Sequence, residues 1–71
     1  MDMQMLEAQI RDADERIAAR QEEIEMQRSL ISNLESNRQD TAEARRTLEQ
    51  FQLSLTLYRQ HRDRLALSLK T

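Results

Sequence analysis

The 71-residue sequence contains no glycine, no proline and no cysteine. Glycine and proline are the residues that most tight turns and phosphate-binding loops need, so their absence disfavours folds built from such turns. Without cysteine the chain can form neither a disulfide framework nor a thiolate zinc site, and a single histidine cannot build a metal cluster. The composition therefore predicts an all-α protein with no metal and no cofactor.

Apolar residues are also scarce, since they make up 38% of the chain while charged residues make up 34%. So short a chain with so few apolar residues buries too little surface to be comfortably stable alone. The longest stretch without a charge, residues 50–58, is far shorter than the roughly 18–20 residues of a membrane span. We therefore expect no membrane span, and a partner that is a second copy or another protein.

The net charge of −2 is unevenly distributed along the chain. Residues 1–35 contain nine acids and four arginines, whereas residues 36–71 contain four acids and seven basic residues. The two halves therefore attract each other, and the acidic whole lacks the concentrated basic face of typical nucleic-acid binders. Because charges interrupt the first residues, where a secretory signal would need an apolar run, we expect a cytoplasmic protein.

Isoleucines recur every seven residues in the first half of the chain, at positions 10, 17, 24 and 31. This spacing predicts a helix with one apolar seam over about residues 3–36. Residues 35–41 are wholly polar, and asparagine readily takes the left-handed conformation that ends a helix. We therefore predict that Asn37 ends the first helix, that residues 37–40 form a turn, and that Asp40 caps a second helix with Glu43 three residues later.

The second predicted helix, over about residues 41–70, has its own seam with a 4,3 spacing that is shifted by three residues from the first. One continuous coiled coil would need a local overwinding inside its most polar stretch, so two antiparallel helices are favoured. The prediction is a single domain over residues 1–71, an antiparallel coiled-coil hairpin. Its seam is Ile10, Ile17, Ile24, Ile31, Leu34, Leu48, Phe51, Leu55, Tyr58, Leu65 and Leu69.

Residues 51–57 and 65–69 alternate apolar and polar side chains, which is also typical of a strand. Helix is favoured because leucine prefers it and because the longer 4,3 seam passes through both stretches. Further apolar residues lie outside the seam and predict a second buried surface, formed when two hairpins pair as a twofold-symmetric four-helix bundle. This candidate dimer interface is Met26, Leu30, Leu53, Leu57 and Leu67.

Three seam positions carry long polar side chains, namely Arg20, Gln27 and Arg62. Polar residues inside a coiled coil commonly fix its register or its oligomeric state, at a cost in stability. Two alternatives stay open: the guanidinium groups could bind an anion or a partner carboxylate, or they could extend to the rim along their apolar stems.

Catalytic chemistry has no legible residue set in this sequence. The acids are scattered on solvent faces, and His61 has no carboxylate three or four positions away. We therefore predict a protein without catalytic, cofactor-binding or metal-binding residues and without a small-molecule substrate. The predicted function is a structural or protein-interaction module that self-associates through its helices; the alternative is a small nucleic-acid-binding regulator that uses the arginine-rich second helix.

Part of the sequence resembles a group of short, uncharacterised bacterial helical proteins. The resemblance covers about residues 27–67 and rests on Gln27, Arg28, Ile31, Leu34, Glu35, Asp40, Thr41, Glu43, Ala44, Arg45, Leu48, Phe51, Leu55, Arg62, Asp63, Arg64 and Leu65. Two positions depart from that group, in which glycine often stands at Asn37 and histidine at Tyr58. The resemblance implies a helical hairpin, and it implies no activity or partner.

Overall fold

The computed structural model describes residues 2–70, which form two helices joined by a short turn. Helix α1 spans Met3–Ser36 and helix α2 spans Ala42–Lys70. The molecule measures 54 × 14 × 13 Å, close to the roughly 51 Å of a 34-residue helix, so the two helices lie side by side in opposite directions. The prediction of an all-α chain with two helices packed together is confirmed. No strand occurs in residues 2–70, and the β alternative for residues 51–57 and 65–69 is wrong because both lie within α2.

The N-terminus of α1 is capped by a side chain from the preceding residue. Asp2 has an extended backbone, and its Oδ1 accepts a hydrogen bond from the Gln4 amide at 3.1 Å. This carboxylate satisfies one of the amides that the first turn of a helix leaves unpaired, and its negative charge lies at the positive end of the helix dipole.

Asn37 ends helix α1, as the sequence predicts, but Asn37 is not the residue with the left-handed backbone. Asn37 keeps a φ of −94°, and Arg38 takes the left-handed conformation with a φ of 57°. The Arg38 amide donates to the Glu35 carbonyl at 3.0 Å, and the Gln39 amide donates to the Leu34 carbonyl at 2.8 Å. These two bonds form a Schellman motif in which Arg38 is the residue after the C-cap. Asn37 is thus the C-cap, and the left-handed position falls one residue later because the helix remains hydrogen-bonded through Ser36.

Helix α2 also begins one residue later than the capping pattern predicts. The Thr41 carbonyl accepts the first intrahelical hydrogen bond, from the Arg45 amide at 2.9 Å, so Thr41 is the N-cap. The Asp40 Oδ1 still accepts from the Ala42 amide at 3.0 Å, but from the position before the cap. Glu43 is then the second helical residue instead of the third, where its charge still favours the helix dipole.

The core lies along the seam between the two helices. Its buried residues are Leu6, Ala13, Ile17, Ile24 and Ile31 of α1 and Ala44 and Leu55 of α2. Ile17, Ile24 and Leu55 form the central cluster, against which Leu48, Phe51 and Tyr58 pack while remaining half-buried. The other predicted seam residues, Ile10, Leu34, Leu65 and Leu69, are also half-buried. Leu55 keeps 9% of its surface exposed, so even the centre of this two-helix core is close to solvent.

Candidate functional site

Arg20 lies in the seam one turn from Ile17 and Ile24, directly over two aromatic rings. Its guanidinium carbon is 5.3 Å from the centre of the Phe51 ring and 5.9 Å from that of Tyr58, within the range of cation–π attraction. The guanidinium also forms an ion pair with Glu23, one turn further along α1. Its Nε atom is buried and has no hydrogen-bond partner within residues 2–70. The side chain therefore covers the aromatic part of the core and keeps 25% of its surface exposed.

The position of Arg20 over the ring changes the pKa of Tyr58. The Arg20 guanidinium, followed in effect by the Ser54 hydroxyl, lowers the pKa of the Tyr58 phenol below its usual value near 10. Arg16 adds to the positive environment, with its guanidinium carbon 6.0 Å from the ring centre. The pKa of Tyr58 on α2 thus depends on the positions of two arginines on α1.

Gln27 is the second polar seam residue, and it links the two helices by a hydrogen bond. Its Nε2 donates to the carbonyl oxygen of Ala44 at 3.0 Å, although the two residues are 17 positions apart in sequence. Because Ala44 lies in the first turn of α2, the bond fixes how far α2 can slide along α1. This geometry fits a register-setting role for Gln27.

Arg62, the third polar seam residue, joins the opposite end of the hairpin. Its Nε lies 3.5 Å from Asp14 Oδ1 on α1 and 3.7 Å from Asp63 Oδ1 on its own helix. The Asp14 contact was not singled out from the sequence, although folding the chain about residue 37.5 places positions 14 and 62 nearly opposite each other. The Arg62 side chain keeps 42% of its surface exposed, while its Nε atom is buried and has no hydrogen-bond partner within residues 2–70.

The five residues of the candidate dimer interface all lie on the surface of the hairpin. Their exposed fractions run from 45% for Leu30 to 68% for Met26, with Leu53, Leu57 and Leu67 between these values. They do not share one groove: Leu30 lies in a shallow groove beside Gln27 and Thr47, and Leu53 lies in another beside Arg46 and Glu49 on α2. Leu67 lies in a third groove, beside Asp63 and Lys70, so these side chains are available for contact with another molecule at three different places.

Residues 2–70 contain neither a cluster of metal ligands nor a membrane-spanning helix. Within residues 2–70, no three histidine, cysteine or acidic side chains come together in a way that could hold a metal ion. Neither α1 nor α2 has an apolar stretch long enough to cross a bilayer. His61 is exposed on α2.

Comparison of the chain with protein-family models, with curated proteins and with solved structures finds no match. The resemblance to short bacterial helical-hairpin proteins therefore stays a prediction.

Proposed function

We propose that the protein is a non-enzymatic, cytoplasmic interaction module that self-associates through its helices into a homodimeric four-helix bundle. The observation that carries this proposal is the exposure of three leucines on one helix: Leu53, Leu57 and Leu67 are 62%, 56% and 61% exposed. In this role the polar surfaces of the assembled hairpins are presented to a further protein.

Energetics support self-association. Single exposed leucines are common on protein surfaces, but complete burial of one contributes about 1.5–3 kcal/mol. The isolated hairpin has a thin core, in which Ile17, Ile24 and Leu55 all keep 8–9% of their surface exposed. Small domains without disulfides or metals gain stability most readily by oligomerising. A second copy would bury the exposed leucines in a further apolar interface.

The test compares the native chain with the double variant Leu53→Asp, Leu57→Asp by sedimentation equilibrium. We expect the native chain to have twice its monomer mass of 8.5 kDa and the variant to have the monomer mass or to unfold. The matched control is Ser29→Asp, Ser32→Asp, which adds the same charge at exposed positions of α1 and should remain dimeric. A monomeric native chain, or a dimeric Leu53, Leu57 variant, would overturn the proposal.

The nucleic-acid alternative has less support. Arg45 is engaged in an ion pair with Glu35, and Arg62 lies beside Asp14. The only two aromatic residues of the chain, Phe51 and Tyr58, pack in the seam beneath Arg20 and are not free to stack on bases. We expect no binding to a mixed-sequence duplex at low salt, measured by fluorescence anisotropy; binding that weakens steeply with salt would favour the alternative instead.

A further inference from the structure

The surface of α2 that faces away from α1 carries three exposed leucines, Leu53, Leu57 and Leu67. Leu53 lies two residues from both Phe51 and Leu55, which face α1, and each residue turns a helix by about 100°. Leu53 therefore projects from the opposite side of α2. Leu67 stands in the same relation to the half-buried Leu65 and Leu69, and Leu57 lies one turn after Leu53. We call this exposed side of α2 the outer face; it comprises Glu43, Arg46, Glu49, Gln50, Leu53, Thr56, Leu57, Gln60, Asp63, Arg64, Leu67 and Lys70.

Charges on the outer face are arranged around the two central leucines. Arg46 precedes Leu53 by seven residues and Arg64 follows Leu57 by seven, whereas Glu49 precedes Leu53 by four and Asp63 follows Leu57 by six. Glu43 lies at the start of α2 and Lys70 at its end. Among residues 2–70, the charged groups of Arg46, Glu49 and Arg64 have no ion-pair partner, so they are free to pair with another molecule.

We propose that the outer face of α2 binds the outer face of α2 in a second copy, in an antiparallel arrangement with Leu53 opposite Leu57 of the second copy. This inference rests on the proposed self-association and specifies its surface and its orientation. The twofold axis then passes beside residue 55, and Gln50 faces Gln60 of the second copy. Pairing Leu53 with Leu67, or Leu57 with Leu67, would also place leucines opposite leucines, but it would move the axis to residue 60 or 62 and shorten the overlap of the two α2 helices.

Charge complementarity supports the antiparallel orientation. On each side of the axis, Arg46 and Glu49 of one copy lie beside Asp63 and Arg64 of the other. Arg46 of one copy lies about one residue of axial offset, roughly 1.5 Å, from Asp63 of the other, and Arg64 lies about three residues, roughly 4.5 Å, from Glu49. Arg46 and Arg64 lie at the same axial level, and the two carboxylates make the group of four neutral. At the ends of the helices, Glu43 of one copy lies about three residues of axial offset, roughly 4.5 Å, from Lys70 of the other. A parallel pair would instead place each charge opposite its own copy, which is unfavourable.

The length of α2 fits the same alignment. The midpoint of Ala42–Lys70 is residue 56, one position from the proposed axis, so two hairpins would overlap along almost their full length. The apolar residues of α1 outside the seam form a shorter exposed surface than those of α2. Met26 and Leu30 span about one turn, and the groove beside Leu30 is lined partly by α2 of the same chain. The second copy is therefore expected on α2, so the four helices lie side by side in the order α1, α2, α2, α1, which replaces a closed bundle by a layer of helices.

The test measures distances between nitroxide labels in the dimer by pulsed electron paramagnetic resonance. Because the chain has no cysteine, Lys70→Cys and Thr56→Cys each supply one labelling site per copy. The antiparallel pair predicts about 45 Å of axial separation between the Lys70 labels, and about 3 Å between the Thr56 labels, at 1.5 Å per residue. Short distances at both sites would mean a parallel pair, and a long distance at Thr56 would mean a different surface; either result overturns the inference. A labelled chain with monomer mass and no dipolar signal would overturn self-association itself.

Matched substitutions test which surface is used. Leu53→Asp, Leu57→Asp should weaken dimerisation at least about a hundredfold, whereas Met26→Asp, Leu30→Asp should leave the dissociation constant within a few fold. Charge reversal tests the orientation, because Glu49→Arg alone should weaken the dimer and Glu49→Arg with Arg64→Glu should restore it. The inference is overturned if the Met26, Leu30 variant is the monomeric one, or if the double charge reversal gives no recovery.

Discussion

Arg20 is the residue whose position in the molecule most needs a physical explanation. An aliphatic side chain at this seam position would bury apolar surface without leaving a polar atom unpaired, whereas the Arg20 Nε has no partner within the described part of the chain. The favourable contributions are cation–π contacts with Phe51 and Tyr58 and an ion pair with Glu23. The guanidinium thus acts as a cover over two rings that a two-helix fold cannot bury completely.

The contact between Arg20 and Tyr58 predicts a measurable titration. Arg20→Gln should move the pKa of Tyr58 back toward 10, because it removes the largest cause of the lowered value. A lowered pKa in the folded state stabilises that state above the unfolded pKa, and this contribution is lost as the pH falls through the folded pKa. It therefore acts only in alkaline solution and contributes nothing at neutral pH.

Tyrosinate absorbance gives a clean measurement of this titration, since Tyr58 is the only tyrosine and there is no tryptophan. Arg28→Gln removes one positive charge from an exposed position of α1 and serves as the control. Equal midpoints for the native chain and the Arg20 variant would show that the guanidinium does not act on the phenol.

The left-handed backbone of Arg38 predicts a stabilising substitution. A non-glycine residue in this conformation costs about 1–2 kcal/mol, and glycine avoids that cost. Glycine also increases the conformational entropy of the unfolded chain, which lowers the free energy of unfolding by about 0.4–1 kcal/mol. We expect Arg38→Gly to raise the free energy of unfolding by about 0.5–1 kcal/mol. Thermal unfolding followed by circular dichroism at fixed protein concentration measures the change.

Asn37→Gly is the matched control for Arg38→Gly, because Asn37 has a negative φ. Glycine there gains nothing in the folded state and should lower the melting temperature. A melting temperature that rises for Asn37→Gly and not for Arg38→Gly would place the left-handed residue at position 37 in solution.

At the scale of the helices, register depends on a small number of polar contacts. The repeating isoleucines place one face of α1 against α2, but an apolar seam alone is compatible with sliding by a heptad. The bond from Gln27 to the Ala44 carbonyl and the contact of Arg62 with Asp14 lie at opposite ends of the seam and favour one alignment.

Gln27→Met tests this role at nearly constant side-chain volume. Replacement of a half-buried polar group by an apolar one should leave the melting temperature unchanged or raise it. Loss of the bond to Ala44 should permit more than one register, visible as extra or broadened backbone amide signals in two-dimensional NMR spectra for residues near 27 and 44. Ser29→Met, at an exposed position of the same helix, should keep one sharp set of signals. One sharp set for Gln27→Met would show that the register is fixed elsewhere.

The helices were predictable from sequence because periodicity is a repeated signal. Four isoleucines at intervals of seven, and a polar stretch without glycine or proline, are enough to indicate two helices and a turn. The conformations at the helix ends were not predictable in the same way, because single-residue preferences compete there. Asparagine favours the left-handed conformation, yet the hydrogen bonds place the left-handed residue at Arg38. Pairings between helices, such as that of Arg62 with Asp14, require the register to within a residue, and folding the chain about residue 37.5 gives this register only approximately.

At the scale of the whole molecule, the hairpin is too elongated to shield all of its apolar side chains from solvent. Its radius of gyration is 16.3 Å, against about 11 Å for a compact domain of 71 residues. Two helices can each cover only one face of the other, so the outer face of α2 remains in solvent with Leu53, Leu57 and Leu67 exposed. The shape itself therefore favours lateral association, which covers long surfaces, over contact at the ends of the helices.

Small-angle X-ray scattering over a range of concentrations distinguishes these assemblies. Lateral pairing through α2 should double the mass from 8.5 kDa while the longest dimension stays near the 54 Å of one hairpin, because the proposed twofold axis lies close to the middle of that helix. End-to-end pairing would double both quantities, and one continuous helix of 71 residues would approach about 105 Å. Dilution should return the monomer mass with little change in length. A particle that lengthens as its mass doubles would contradict lateral packing, because only contact between helix ends extends the molecule along its axis.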